Sequence, residues 1–137
     1  MEASFGTNLV LVAFGLMAGL GPISGLLANI PVVAASLLMT KGCLVAASLV
    51  PEEALAAGFT DWPSSTIPVF VAMMFAATLG GNLTLIGASA NIASAGVCQM
   101  HGRRITFGRF LRYGLPLGGI QLVVSALYVY AMFLLSR

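Results

Sequence analysis

No aspartate, glutamate, lysine or arginine occurs between Glu2 and Lys41, between Asp61 and Arg103, or between Arg112 and Arg137. A bilayer crossing needs about 20 mainly apolar residues, so each of these stretches is long enough to cross at least once. Composition points the same way. Of 137 residues, 59% are hydrophobic and only 7% are charged, with a mean hydropathy of +1.02. A soluble domain carries about 25% charged residues, so a water-facing surface cannot be built from this chain. The expected class is an all-α, multi-pass integral membrane protein whose first partner is the lipid bilayer, with no role in binding nucleic acid.

Residues 8–20 read as helix, and Gly21-Pro22 is expected to stop it, because proline cannot donate the next helical hydrogen bond. The segment GPISGLLANIP then reaches Pro31, and residues 32–50 resume helical character. Block 4–50 is therefore either two short spans or one re-entrant hairpin with a polar tip. Residues 51–67 form an aqueous loop holding Glu52, Glu53 and Asp61, in which Trp62 is an interfacial anchor or an ordinary packing residue. As one straight helix, 68–100 would run about 50 Å, well beyond the hydrocarbon thickness. A helix broken at GGNLTLIGASAN solves the length problem and places an unwound segment near mid-membrane. Residues 101–113, with Arg103, Arg104, Arg109 and Arg112 among Ile105, Phe107, Phe110 and Leu111, read as an amphipathic segment at the interface. Residues 114–135 read as one uninterrupted last span. Basic loops stay cytoplasmic, which puts 101–113 inside and both loop 51–67 and the C-terminus outside.

Irregular backbone at membrane depth survives only when buried in protein or lining a watery cavity. Two such interruptions are expected, near 21–31 and 80–91, and they gather the polar groups: Ser24 and Asn29 in the first, Asn82, Thr84, Ser89 and Asn91 in the second. Broken helices build transport sites, since half-helix N-termini attract anions while unwound carbonyls and neutral amide or hydroxyl oxygens suit Na⁺. The competing reading is packing, because the same residue types also hydrogen-bond between membrane helices. Gly15, Gly19 and the Gly118-Gly119 pair are assigned to packing. Cys43 and Cys98 are read as small buried hydrophobes. Apart from Lys41, near an end, no carboxylate or lysine falls within a membrane segment, and no nucleophile–base pair, phosphate loop or metal cluster is visible. An enzyme is not expected, nor a cofactor. The N-terminus, with acidic Glu2, does not read as a cleaved signal peptide.

GGNLTLIGASANIASAGV, followed by HGRRITFGRFLRYG, resembles the C-terminal part of the ion transporter superfamily. Its members include arsenite permeases, sodium–proton antiporters and citrate or dicarboxylate transporters. ANIPVV at 28–33 resembles the family's hairpin tip, in which an asparagine helps to form the site. The resemblance implies an elevator-type carrier of two inverted repeats. Residues 4–50 would be the re-entrant helical hairpin, 68–100 the broken transmembrane helix and 114–135 the continuous C-terminal transmembrane helix. It also places the N-terminus outside. It matches Asn29 to the tip asparagine and Asn82, Thr84, Ser89 and Asn91 to the unwound loop, with a possible Na⁺ at Asn29 and Asn91. Ala28 stands where many antiporter-like members carry an acidic residue, which points to an anion or a Na⁺-coupled role.

The function these readings imply is secondary active transport of an ion or small anion across the cell inner membrane by alternating access, with Na⁺ or H⁺ as coupling ion. The partner expected is a complementary transporter half or further copies of the chain. The alternatives are a truncated non-transporting fragment or accessory subunit, and a small pore-forming protein.

Overall fold

The computed structural model describes the backbone of residues 2–27 and 29–135, and side chains from residue 9 onward other than Asn29. Helix α1 spans Glu2–Leu26, α2 Asn29–Ala46, α3 Ile67–Gly80, α4 Ser89–Met100 and α5 Phe107–Leu135. No strand occurs among the described residues. Among the described residues, three segments are long and apolar enough to cross a membrane: Leu9–Leu26, Ser64–Leu83 and Phe107–Leu135.

α1 and α3 run side by side in the same direction, and α5 runs back between their ends. At one end Leu9, Ala13 and Met17 of α1, spaced at helical intervals, meet Val69, Ala72 and Ala76 of α3 and Val129 and Phe133 of α5. Ala13, Val69, Ala72, Ala76 and Val129 are wholly buried. Small side chains let these backbones approach closely, which is how helices associate where lipid is as apolar as the side chains. α2 folds back along α1, since Leu9 and Val12 share a small cavity with Thr40 and Leu44 near the far end of α2. α1 and α2 thus form a helical hairpin, with α1 ending at Leu26 and α2 beginning at Asn29.

The first interruption is a correction to expectation. Gly21-Pro22 does not stop α1, which continues through Pro22 to Leu26, and Leu27 N still bonds the Ile23 carbonyl at 2.9 Å. The reason is tertiary. A Cβ on Gly80 would overlap the Gly21 carbonyl oxygen, so these two glycines bring the backbones of α1 and α3 into direct contact. Packing on α3 holds the helix through a proline that local propensity would use to end it. The helix ends at Leu26 and α2 begins at Asn29; Ala28 and the Asn29 side chain are outside the described residues.

α2 ends earlier than 32–50 suggests, at Ala46. Leu49 N bonds Leu44 O at 3.0 Å and Ser48 N bonds Val45 O at 2.8 Å, a Schellman-type stop with Ser48 in the left-handed region at φ 56°. In the acidic connection Trp62 packs edge-on to Phe59 and Phe70 at centroid distances of 5.0 and 4.8 Å, and donates to the Phe59 carbonyl at 3.2 Å. Lys41 Nζ lies 5.4 Å from the same ring and donates to the Ala56 carbonyl at 3.2 Å, tying the end of α2 to this connection.

The basic segment is also shorter than expected. Only 101–106 is non-helical, and Phe107–Tyr113 forms the first turns of α5. Thr106 Oγ1 accepts from Arg109 N at 3.3 Å, the geometry of an N-cap. Pro116 lies inside the helix without ending it. Of the glycines assigned to packing, Gly118 faces Leu83 at 2.7 Å from its would-be Cβ, whereas Gly15, Gly19 and Gly119 have open space. Cys43 is exposed and Cys98 half-buried, not core residues.

Candidate functional site

α3 has 14 residues and α4 has 12. At 1.5 Å per residue they are about 21 and 18 Å long, shorter than a hydrocarbon layer of about 30 Å, although the 3₁₀ turns at either end extend α3 to the 20-residue apolar segment Ser64–Leu83. The chain leaves α3 in a single 3₁₀ turn over Gly81–Leu83, goes extended at Thr84 (φ −132°, ψ 161°) and Ala88 (φ −140°, ψ 139°), and re-enters helix at Ser89. The interruption expected at 80–91 is therefore present over residues 81–88.

Unwinding frees backbone carbonyls that membrane interior would penalise by several kcal/mol each if left alone. Asn91, in the first turn of α4, reaches back over the break. Its Nδ2 donates to the carbonyls of Gly81 at 3.1 Å and Thr84 at 3.0 Å. Because both partners are acceptors, the amide nitrogen must face them, and the Oδ1 is the acceptor turned elsewhere. Thr84 Oγ1 takes the Gly87 N–H at 3.1 Å and donates to the Gly25 carbonyl of α1. Gly87 has room for no side chain, since a Cβ would sit 2.6 Å from the Gly81 oxygen and 3.0 Å from the Gly25 oxygen. Ser24, fully buried, donates to the Ala77 carbonyl in the last turn of α3. The arm of the hairpin is thus docked onto the break through side-chain hydroxyls.

A cavity of about 510 Å³ opens beside α4. Asn82 and Asn91 line it at the break, with Gln121 from α5 opposite; Asn82 Nδ2 donates to Gln121 Oε1 at 3.0 Å. Arg103, Arg104 and Arg109 line it at the far end of α4. The wall between includes Cys98, Ile105, Phe110 and Leu117. Among the described residues, no acidic side chain contributes to it.

The sequence-derived site residues separate into distinct places. Asn82 and Asn91 line the cavity. Ser24 and Thr84 do not; they are buried and lock α1 to α3 and to the break. Ser89 is exposed as the first residue of α4. Asn29 begins α2, and its side chain lies outside the described residues. Sequence reasoning missed Gln121 and the placement of the exposed Arg103, Arg104 and Arg109 along the cavity. Gln121 had a signal, being an amide within an otherwise apolar span. The arginines read as a loop because nothing in a linear pattern shows that 101–106 turns back beside α4.

The helices define the class: among the described residues, an all-helical protein with three segments long and apolar enough to cross a membrane. Over 125 residues, 90% of its length, the chain is 47% identical to an uncharacterized transporter of Synechocystis sp.. It is 37% identical over 91% of its length to an uncharacterized transporter of Mycobacterium tuberculosis, and 44% identical over 62 residues to the human P protein. It spans 28% of the first of these relatives, 26% of the second and 7% of the third. No family model and no solved structure matches the chain. The names of these relatives support a transport role in general terms.

Proposed function

We propose that the chain is the part of a secondary active carrier, of the ion transporter superfamily type, that holds one half of the binding site for an ion or small anion. One observation carries this reading: α3 and α4 are separated by an interruption at 81–88 that opens on a cavity through Asn82 and Asn91, and we read the two helices as one crossing broken in the middle. An unwound crossing is costly in lipid unless its backbone groups meet protein, water or a ligand. Asn91 spends its amide hydrogens on the break itself, which leaves its carbonyl oxygen as a hard ligand suited to Na⁺. Asn29, beginning α2 just beyond the hairpin turn, is the second oxygen donor in this scheme. Citrate or a dicarboxylate, arsenite, and Na⁺/H⁺ exchange are the substrate classes to test, with Na⁺ or H⁺ as coupling ion and the cell inner membrane as location. Alternating access would come from movement of this unit against a complementary half or a further copy of the chain. The relatives' names support transport in general.

Uptake into vesicles containing this chain with a complementary half tests the proposal directly. A flux of one of these substrates that falls in Asn29→Ala and Asn91→Ala is the expected result. A measured flux left intact by both substitutions contradicts the site.

A further inference from the structure

The arginine end of the cavity does not follow from an ion site at the break. α4 closes at Met100 with Arg103 N bonded to Cys98 O at 2.9 Å and Gly102 N to Gln99 O at 3.0 Å, Gly102 being left-handed at φ 74°. This stop turns the chain back and fixes 103–106 between α4 and the capped start of α5. Arg103, Arg104 and Arg109 are thereby gathered around one cavity, while Arg112, on the same helix as Arg109, does not line it. No carboxylate does either. Glu52, Glu53 and Asp61 precede α3 in sequence, at the end remote from the break, about 21 Å away along that helix.

We propose that this end of the cavity binds a phosphate-type oxyanion, from an anionic phospholipid headgroup or from free phosphate. Guanidinium groups present planar forks of donors that match phosphate oxygens, and several converging on one space bind more than one oxygen. The start of a 29-residue helix adds partial positive charge at the same place. Ile105, Phe110 and Leu117 continue the wall beyond the charges, and Leu117 is 62% exposed. This gives the apolar part of a lipid a surface contiguous with the site for its headgroup. A basic pocket between membrane helices is a setting in which anionic headgroups bind. The assignment uses no part of the transport reading.

The test is modification of arginines by phenylglyoxal on the intact chain in phosphatidylcholine nanodiscs, resolved residue by residue by mass spectrometry. One arm adds phosphatidylglycerol to the bilayer and the other adds inorganic phosphate to the buffer. Modification of Arg103, Arg104 and Arg109 slows about fivefold or more relative to Arg112 in at least one arm, as expected for charge-assisted bonds. Protection in the lipid arm alone assigns the headgroup, and in the buffer arm alone free phosphate. The double variant Arg104→Gln, Arg109→Gln raises the concentration needed to protect Arg103 by about tenfold, whereas Arg112→Gln changes it less than about twofold. No protection in either arm, or equal slowing at Arg112, overturns the proposal.

Discussion

The two interruptions contain the same ingredients, glycine beside small polar residues, and end as different structures. At 21–26 the chain stays helical through a proline. At 81–88 it unwinds without one. The difference lies in what each backbone meets. Gly21 lies against Gly80, so its helix is held from outside by another helix. The break is also packed against α1 and α5, but it adds a clasp of its own, through Asn91 on the Gly81 and Thr84 carbonyls and Thr84 on the Gly87 N–H. It then offers Thr84 to the Gly25 carbonyl. A proline tells little about where a packed membrane helix ends, whereas a side chain able to satisfy freed carbonyls marks where one can open.

The largest effect should come from the shared glycine contact. Gly80→Ala places a methyl where the Gly21 carbonyl oxygen lies, backbone against backbone, and neither side can yield by a rotamer change. Alanine is the better helix former by about 1 kcal/mol, so a net loss of about 2 kcal/mol or more in denaturant titrations isolates the contact. Gly15→Ala, with open space around it, changes stability by less than about 1 kcal/mol in either direction.

Next in size is the clasp on the break. Asn91→Ala leaves the Gly81 and Thr84 carbonyls short of a donor, at a cost of about 2 kcal/mol. Hydrogen exchange at 82–87 should then quicken by about tenfold or more, while exchange at 18–26 stays unchanged. Equal acceleration in both regions would mean that the break has no clasp of its own.

Thr84→Val removes the hydroxyl that joins the break to α1, at about 1 kcal/mol, and Thr84→Ser restores it. The readout is the denaturation midpoint of the three proteins measured side by side. Smallest is Pro22→Ala. With α1 helical on both sides of position 22, alanine returns a donor to the Ala18 carbonyl, and the exposed ring leaves no buried void. Stability should hold or rise by about 1 kcal/mol. A loss of similar size would show that the proline supports the hairpin after all.

Much of this was legible in the sequence. Charge-free stretches marked the membrane class, and the density of glycine, asparagine and threonine in GGNLTLIGASAN marked the break, because that local composition is also its physical cause. The run of α1 through Gly21-Pro22 was not legible, since it depends on Gly80, far away in the chain. The helical start at Phe107 was concealed by the charges beyond its cap, Thr106, which suggested an interfacial segment. Within the candidate site, Asn82 and Asn91 were found by type and position. Ser24 and Thr84 were chosen by the same criterion, but their hydroxyls reach backbone carbonyls and face away from the cavity lining.

The central claim, that the break opens on a watery cavity inside a membrane protein, is tested most directly by thiol accessibility in sealed membrane vesicles. Cys43 and Cys98 are first replaced by alanine, and single cysteines are introduced as Asn82→Cys and Val123→Cys. Asn82 lines the cavity, while Val123 is 62% exposed on the apolar flank of α5. The account predicts that a charged, water-borne maleimide labels the cysteine at position 82 and spares the one at 123. Labelling at 123 with none at 82, from either side of the membrane, would contradict it.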